Sequence, residues 1–507
     1  MRLPHLNAPN NKSKQYIIDF KGINTEPVAQ EGEMTEMRNL CSSFSPCLSP
    51  REKREVIKTL TTPTDIGSVG DKLYYIDNGN FYYNDILKGS VAIGRKSIAI
   101  MNDFVIIFPD KVAYDTINDK WNTLDNTNSK TGLVFSDVAI TTTNAFTGFK
   151  VGDAVTISGC AVNTTNNRSA IIKAITDTVM TFYSNTFTVG TETASVTIKR
   201  EVPDLLFIIE ADNRLWGCND KNEIFGSKIG SHNNFNVFDG LVTDSYTCNV
   251  GTAGPFTGAI NYNNNILFFK DDFIHRIYGF KPANFQVITT NTQGVKSGCE
   301  RSLAIANNML FYVSRVGVVV YNGSVPDAIS EKLGNGKITD CTAGSDKLKI
   351  YFSIQINDKW YMYVYDTIRN VWHMEDNTHA LRFDYFSGDL IYLDADKKEI
   401  VKVNGNSTEN IQWSAITGEM NEYYMDKKGS SKLKMRIELE ANSYVGIYIN
   451  SDNKGWVLVK TIQGLSKKSI LMPIKPQRCD YFKIKIEGRG ECRIYSIVRE
   501  FYVGSDI

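Results

Sequence analysis

The sequence has no excess of charge of either sign. It holds 56 lysine and arginine residues against 56 aspartate and glutamate residues, so its formal net charge at pH 7 is zero. Such a balance gives no long-range attraction to nucleic acid or to an anionic membrane surface. Charge therefore argues against the strongly basic nucleic-acid-binding proteins, and by itself it indicates no partner.

Long apolar runs are also missing. No window approaches eighteen apolar residues, so no membrane-spanning helix is predicted. Residues 1–5 (MRLPH) lack the apolar core of a signal peptide, and secretion by the usual route is not indicated. We expect the protein to be made and retained, or assembled, in a cytoplasm.

Cysteine pairs at the spacing of metal or redox motifs are absent. The nine cysteines are odd in number, and no two of them stand as CxxC. We predict reduced, mostly buried thiols. They are Cys41, Cys47, Cys160, Cys218, Cys248, Cys299, Cys341, Cys479 and Cys492.

Enzyme signature motifs are missing too. The sequence contains no P-loop, no dinucleotide-binding glycine fingerprint and no GxSxG elbow. The five histidines are too dispersed for a metal cluster. Two of them flank the acidic pair Glu375-Asp376, but the spacing fits no helix face, and we expect a solvated loop there. The histidines are His5, His232, His275, His373 and His379.

The acidic residues indicate no catalytic pair. Residues 451–456 (SDNKGW) faintly resemble the Asp-box turn of sialidases, but we predict that they form a hairpin turn in the terminal domain. Asp271-Asp272 and Asp384 are isolated acids at turns or strand edges, whereas a glycosidase needs two carboxylates in one pocket.

The basic residues indicate no nucleic-acid site. Lys427-Lys428 and Lys467-Lys468 do not gather with aromatic residues, so we interpret both pairs as solvated hairpin turns. The prediction is a non-enzymatic protein with no catalytic, cofactor-binding or metal-binding residues and no cofactor.

Aromatic residues are abundant where proline is scarce. The chain has 25 tyrosines and 26 phenylalanines but 13 prolines, and Asn and Gly cluster between short apolar stretches. This texture is typical of many short strands joined by tight turns. We predict an all-β protein, and the length of 507 residues predicts two to four domains.

One octapeptide occurs twice. Residues 114–121 (YDTINDKW) return at residues 365–372 as YDTIRNVW. In both copies an alternating apolar run leads into a turn-rich tetrapeptide, and a tryptophan follows. Asn and Asp tolerate left-handed backbone at a bend, so the motif predicts the outer hairpin of a four-stranded antiparallel blade.

Seven such units follow one another along the chain. Each is a meander of roughly 40 to 50 residues that cannot cover its own faces, which predicts radial packing into a β-propeller of about seven blades. Two stacked sandwiches would not explain the regular recurrence. The units include residues 69–83, with a bend at Asn78-Gly79, and residues 98–121, 205–227, 259–287, 303–323, 347–372 and 381–403.

Two stretches fall outside this series. A run rich in Thr, Ser and Asn predicts a small β-barrel inserted between two blades, and alternating runs after the last unit predict a jelly-roll or similar β-sandwich. The predicted domains are an N-terminal arm (1–60), the propeller (61–128 and 201–410), the inserted small β-barrel (129–200) and the C-terminal β-sandwich (411–507). Residues 504–507 are expected to be loose.

The N-terminal arm has two open interpretations. Residues 16–24 predict a strand and residues 31–40 a short acidic helical turn, before the prolines of residues 45–51 impose extended geometry. The arm either lies across a neighbouring surface or is a leader strand that closes the sheet of the next domain.

Several runs resemble propeller proteins of tailed-phage virions. Together with the order of arm, propeller with insert and terminal sandwich, they resemble the tail hub or nozzle of short-tailed bacteriophages. A kelch-like resemblance in the Tyr-Asp…Trp units is weaker and indicates only a propeller. The runs are NRLWGC (213–218), IFGSKIGSHNNF (224–235), FFK (268–270), IYGFKPANF (277–285), VYDT (364–367), WH (372–373), and in the arm FKGIN (20–24), MRNL (37–40) and LSPR (48–51).

The resemblance implies a mechanical function in the virion tail. Hub and nozzle proteins form a ring, typically of six copies, below the portal and adaptor, and the ring continues the channel through which the genome leaves. The arm would then contact a neighbour or the adaptor, the propeller would form the ring wall, and the insert or sandwich would contact fibres or neighbours. Genomic DNA would pass through the lumen without sequence-specific binding.

Two other functions stay open. One is a soluble receptor- or glycan-binding propeller with the sandwich as a carbohydrate module, which exposed aromatic residues beside Asp and Asn would favour. The other is a glycosidase-type propeller enzyme, which needs two carboxylates about 5 to 10 Å apart in one pocket.

Overall fold

The computed structural model describes residues 12–183, 186–408, 410–421 and 426–503. The predicted all-β class and the seven-bladed β-propeller, with an inserted small β-barrel and a C-terminal β-sandwich, are confirmed. Residues 504–507 and His5 lie outside the described residues. Short 3₁₀ turns occur at Thr164–Asn166, Pro282–Asn284 and Glu331–Leu333.

The strands divide between two compact units, one of residues 1–60 with 301–507 and the other of residues 61–300. Five strands precede the first blade and belong to the former unit. They are β1 (Lys12–Ile17), β2 (Met34–Arg38), β3 (Leu40–Cys41), β4 (Ser49–Pro50) and β5 (Glu55–Thr59).

The unit of residues 61–300 opens with two blades, each a meander whose four strands pair antiparallel in chain order. Blade 1 holds β6 (Pro63–Val69), β7 (Lys72–Asp77), β8 (Asn80–Tyr83) and β9 (Ile86–Ser90). Blade 2 holds β10 (Ser97–Met101), β11 (Phe104–Phe108), β12 (Val112–Asp115) and β13 (Lys120–Thr123).

The insert follows blade 2 as an eight-stranded sheet around its own core, which includes Phe135, Phe182 and Phe187. It begins at residue 126 rather than 129, because β14 pairs with β21 and not with the propeller. Its strands are β14 (Asn126–Lys130), β15 (Leu133–Phe135), β16 (Ala139–Thr141), β17 (Ala154–Ser158), β18 (Ser169–Ile175), β19 (Val179–Phe182), β20 (Gly190–Glu192) and β21 (Val196–Arg200).

Two further four-stranded blades complete this unit. Blade 3 holds β22 (Phe207–Ala211), β23 (Arg214–Cys218), β24 (Glu223–Gly226) and β25 (Tyr246–Asn249). Blade 4 holds β26 (Gly258–Tyr262), β27 (Asn265–Lys270), β28 (Phe273–Tyr278) and β29 (Gln286–Asn291).

The unit of residues 1–60 and 301–507 holds blades 5 to 7. Blade 5 holds β30 (Ala304–Ala306), β31 (Met309–Ser314), β32 (Gly317–Tyr321) and β33 (Asp327–Ala328). Blade 6 holds β34 (Ile338–Ser345), β35 (Lys349–Ile356), β36 (Lys359–Asp366) and β37 (Val371–Met374). Blade 7 holds β38 (Ala380–Phe386), β39 (Asp389–Asp394) and β40 (Glu399–Lys402), and its fourth strand is β5.

The same unit ends in the terminal sandwich. Its C-terminal strands are β41 (Gln412–Thr417), β42 (Lys428–Ser451), β43 (Val457–Cys479), β44 (Phe482–Arg489) and β45 (Cys492–Val503). The N-terminal β1 pairs with β45, and β2 pairs with β41.

The N-terminal segment is therefore part of this chain's own sheets. Of the two interpretations, the leader strand is the one observed for residues 12–60, although β5 closes the last blade rather than the next domain. The predicted acidic helix over residues 31–40 is wrong, because β41 offers a strand edge that β2 pairs with. Met34 and Met37 are buried there, which fits a strand packed on a core.

Burial between neighbouring blades explains the aromatic composition. One cluster joins Phe81 of blade 1 to Tyr114 of blade 2, with the Trp121 ring 5.3 Å from that of Phe81. Such rings fill the space between two twisted sheets that could not cover their own faces. The Asn78-Gly79 bend is confirmed, since both residues have positive φ angles, 52° and 73°.

Both copies of the octapeptide form outer hairpins, as predicted. The Asp115 carboxylate accepts hydrogen bonds from the Ile117 and Asn118 amides. Asp366 does the same for the amides of residues 368 and 369, and it also accepts a 2.6 Å bond from the Ser42 hydroxyl. The second copy therefore also anchors the N-terminal segment.

We expect Asp366→Asn to destabilise the fold by about 2 kcal/mol and Asp115→Asn by about 1 kcal/mol, measured as the free energy of unfolding in urea. Burial raises the pKa of Asp366, but the bonds from Ser42 and Arg369 lower it below its usual range. Its contribution is thus present above pH ~4 and lost as the pH falls through the folded pKa. If both variants lose the same free energy of unfolding, the hydrogen bond from Ser42 to Asp366 does not contribute to stability.

Candidate functional site

The terminal sandwich consists of two sheets that share their two longest strands. Residues 428–439 of β42 pair with β45 on one side and with β43 on the other. Residues 444–451 of β42 pair with β44 and again with β43. All seven strands are connected through β42. The first half of β42 gives the strand order β1-β45-β42-β43 and the second half gives β2-β41-β44-β42-β43, so β43 is the last strand in both orders.

The outer edge of β43 is open. Within the part of the chain that the structure describes, β43 pairs with β42 alone, so the backbone groups on its other edge have no ladder partner. Its 23 residues include five basic side chains and no acidic one. Val457, Leu458 and Leu471 are exposed on it as well. We call β43 the basic edge; its basic residues are Lys460, Lys467, Lys468, Lys475 and Arg478.

The opposite end of the sandwich is acidic. There β1 and the loop before β2 border a cleft of about 440 Å³, lined by residues 15, 17, 27–33 and 417–421. Residues 22–37 carry four glutamates and no basic residue, and three of the four, Glu26, Glu31 and Glu36, are exposed. We call this surface, with its cleft, the acidic end.

Glu33 holds the loop that displays these acids. It is buried, and its carboxylate accepts hydrogen bonds from the Asn24 side chain and the Gln30 amide, both at 2.7 Å. Lys332 donates to its other oxygen at 2.8 Å. Burial raises the pKa of Glu33, but these three donors lower it below its usual range. Glu33 is therefore a structural ion, and its neighbours Glu26 and Glu31 are the available charges.

The predicted solvated loop around residues 373–379 is wrong. His373 lies buried in β37, and Glu375 and Asp376 receive the guanidinium of Arg54, each at 2.7 Å. Arg54 also donates to the Thr378 and Tyr392 side chains. Both acids are held in the interior because they pair with the buried Arg54. Arg54 precedes them by more than 300 residues in the sequence.

This cluster fixes the strand that completes blade 7. Arg54 directly precedes β5, so its two carboxylate partners hold the start of that strand. Burial lowers the pKa of Arg54, but Tyr392, Asp376 and Glu375 raise it well above the usual value, so the guanidinium stays charged. The cluster is thus an ion network in which both acids are bound to the guanidinium of Arg54.

The other predicted residues have local structural roles. Residues 452 and 453 form the hairpin turn between β42 and β43 with positive φ angles, as predicted. Asp271 accepts from the Ser297 amide, and Asp384 from the Tyr385 amide. Seven of the nine cysteines are buried and two are half-buried.

The interpretation of both lysine pairs as solvated turns is wrong. Lys428 is fully buried in β42, where its ammonium donates to the Asp426 carbonyl at 3.0 Å. Lys467 and Lys468 are exposed but lie within β43, and the ammonium of Lys467 lies 3.8 Å from the centre of the Tyr495 ring.

Neither a metal site nor a membrane span is found in the described ranges. No group of three or more His, Cys, Asp or Glu side chains there could hold a metal ion. No helix among the same residues is long and apolar enough to cross a membrane.

Sequence reasoning missed the acidic end and the basic edge as surfaces. A signal existed for both, because residues 22–37 lack Lys and Arg and residues 457–479 lack Asp and Glu. Their position at opposite ends of one sandwich could not be read from the sequence, since it depends on β1 and β2 joining the C-terminal strands.

Comparison with known proteins identifies no family for this chain. No family model matches the sequence, and no curated protein matches it. With TM-scores below 0.5, the similar solved structures carry no argument about function. They include the mitotic checkpoint complex (TM-score 0.35, 9% identity, 69% of this chain and 94% of that chain), PorZ of the type-IX secretion system of Porphyromonas gingivalis (0.28, 11%, 92% and 81%) and an exo-β-1,3-galactanase from Phanerochaete chrysosporium (0.19, 10%, 88% and 100%).

We expect Arg54→Met to destabilise the fold by about 3 to 5 kcal/mol, because it leaves Glu375 and Asp376 buried without a counter-charge. The measurement is urea unfolding, together with hydrogen exchange of the β5 amides, which should become faster. Adding Glu375→Gln and Asp376→Asn should recover part of the loss. The control is Lys397→Met at an exposed turn, and a loss no larger than in this control would refute the network.

We expect stability to fall as the pH drops from 7 to 5, partly because of His373. Burial lowers its pKa to about 3, so the folded protein keeps this imidazole neutral. The unfolded chain protonates it below about pH 6.5, which favours unfolding by about 2 kcal/mol at pH 5. The thermal midpoint should fall less between pH 7 and pH 5 in His373→Leu than in the wild type. An equal fall in both proteins would contradict a neutral, buried His373.

Proposed function

We propose that this protein is a non-enzymatic structural protein of a bacteriophage virion. It is the subunit of a ring, a nozzle or hub, in a short tail, where it forms part of the channel for genome ejection. Portal or adaptor proteins and tail fibres are its partners, and genomic DNA passes without sequence-specific contact. The virion tail is its location after assembly in the host cytoplasm.

The observation that carries the proposal is the order of its parts. N-terminal strands, two blades, an insert, five blades and a terminal sandwich follow one another. The runs that resemble hub and nozzle proteins occupy defined places in this order. Fold alone does not specify function. The proposal therefore depends on the structural contacts that the resembling runs make.

The run at residues 213–218 organises a long loop of blade 3. Arg214 is buried, and its guanidinium donates to the carbonyls of Ser227 at 2.6 Å and Val242 at 2.8 Å, and also to that of Asp244. Trp216, beside it, packs edge-on against the ring of Phe285, which lies in a second resembling run. These residues of the resembling runs therefore stabilise the fold, which supports a structural role.

The run at residues 20–24 fastens the N-terminal segment to blade 6. Gly22 has a φ angle of 78°, and a Cβ atom there would lie 2.0 Å from the carbonyl oxygen of Trp372. The Ile23 amide donates to that same oxygen at 2.7 Å. Two resembling runs thus meet each other, and the glycine is required by the contact.

Residues 12–60 are not proposed as a free arm that extends to another subunit. Their strands pair within their own chain, so this segment can contact another subunit only through the surface that it exposes on the folded unit. The insert and the sandwich supply separate surfaces of this kind, as a closed ring of heterologous contacts requires.

We expect closed rings, of six copies, when the purified protein is mixed with its adaptor. The measurement is native mass spectrometry of the protein alone and of the mixture, with negative-stain imaging of the products. Duplex DNA added at physiological salt should not be retained, because the net charge is zero. A protein that stays monomeric with the adaptor would refute the proposal.

A receptor- or glycan-binding propeller is the second candidate. The observation that favours it is Phe280, which is 75% exposed, with its amide 3.3 Å from the Asn284 side chain and Tyr278 exposed nearby. Exposed aromatic rings beside amides suit sugar faces. A monomer that ignores the adaptor and binds glycans, with binding lost in Phe280→Ala, would favour this candidate.

A further inference from the structure

The two sides of the terminal sandwich differ in the sign of their charged residues. The basic edge closes both sheets on one side, and β1 and β2, which border the acidic end, close them on the other. A strand whose charged side chains are all basic therefore lies on one side of the sandwich, and on the other side lies the loop of residues 22–33 before β2, whose charged side chains are acidic. The exposed side chains of Lys14 in β1 and Arg38 in β2 lie outside this loop. A surface and its complement on the same molecule are the condition for head-to-tail association.

Exposed apolar residues accompany the charges at both ends. The basic edge displays Val457, Leu458 and Leu471, and Val28 at the acidic end is 73% exposed. Tyr16 of β1 and Ile18 after it are exposed at the same end. An apolar patch inside a rim of charges is the usual composition of a protein interface.

Several acids at the acidic end already have partners within the chain. Glu33 is bonded to Lys332, and Glu419 lies 3.1 Å from Lys483. Glu26, Glu31 and Glu36 are exposed side chains beyond these pairs. Three acids thus face solvent on one side of the sandwich, and four exposed lysines lie on β43 on the other side. A partner that carries both kinds of surface can complement each of them.

The open edge itself needs a selective partner. A long strand with unpaired backbone groups invites indiscriminate pairing, and lysines on the edge suppress it by repelling other basic strands. The same lysines favour the binding of a partner with an acidic surface, because the free-energy cost of removing water from a charge is offset by contact with the opposite charge.

We propose that the basic edge of one copy of this chain docks on the acidic end of a second copy. This inference rests on the proposed ring function and identifies the interface that builds the ring. Contacts between two basic edges or between two acidic ends are repulsive, so a dimer in which either surface meets its own copy is disfavoured. Each added copy presents a fresh basic edge or acidic end, and association continues until the ring closes.

The test uses two charge-reversal variants of the full chain. The basic-edge variant carries Lys460→Glu, Lys467→Glu, Lys468→Glu and Lys475→Glu. The acidic-end variant carries Glu26→Lys, Glu31→Lys and Glu36→Lys. A matched control reverses four exposed lysines outside the sandwich, at positions 120, 221, 359 and 397.

Self-association is measured by sedimentation velocity over a concentration series up to about 100 µM, at low and at physiological salt. The wild type and the control should associate, more strongly at low salt. Each reversal alone should weaken association about a hundredfold. An equimolar mixture of the two variants should associate again, because each reversed surface then meets its complement. Unchanged far-UV circular dichroism and thermal midpoints verify folding.

Three results would overturn the interface. They are a wild type that stays monomeric throughout, association that is unaffected by both reversals, and a mixture of variants that stays monomeric. If lysine reversal abolishes binding of duplex DNA but leaves self-association intact, the basic edge belongs to nucleic acid instead.

The same variants separate this interface from the proposed function. Rings on the adaptor that tolerate both reversals would overturn the interface and retain the ring subunit. Complementary association of the mixed variants, without any ring from the wild type on the adaptor, would retain the interface and overturn the tail function.

Discussion

The pairing of β5 with β40 is the interaction on which much of this architecture depends. Blade 7 has three strands of its own, and the N-terminal segment supplies the fourth. A blade left with three strands would present an open edge and an uncovered apolar face. Two contacts hold the segment before this strand, the ion network of Arg54 and the hydrogen bond from Ser42 to Asp366.

The same segment also builds the terminal sandwich. Since β1 and β2 complete its two sheets, the N-terminus and the C-terminus are joined in one folded body. This arrangement uses the backbone edges of the N-terminal strands within the chain and leaves two different surfaces exposed. The positions of the basic edge and the acidic end follow from the order of the strands. The basic edge is the outermost strand on one side of the sandwich, and β1 and β2 are the outermost strands on the other side.

The fold could be predicted in large part because its signals are local. Period-two alternation, Asn-Gly bends and the repeated octapeptide each specify a hairpin within about twenty residues. The helix predicted for residues 31–40 was wrong. Their acidic composition resembles the start of a helix, but pairing with the edge of β41 makes residues 34–38 a strand. The prediction for the acids beside His373 was wrong for a related reason, because their partner Arg54 lies more than 300 residues away in the sequence. The burial of Lys428 likewise depends on β43 and β45, the strands that flank it.

The sequence by itself determined the all-β class, the seven blades, the insert and the terminal strands, because hydrophobic periodicity and turn residues act over a few neighbouring positions. Tertiary structure alone decided where residues 12–60 go, which charges are buried in ion pairs and which remain on the surface. The physical reason is that strand pairing and charge burial depend on distance in space, and a polypeptide of 507 residues brings positions together that its order keeps apart.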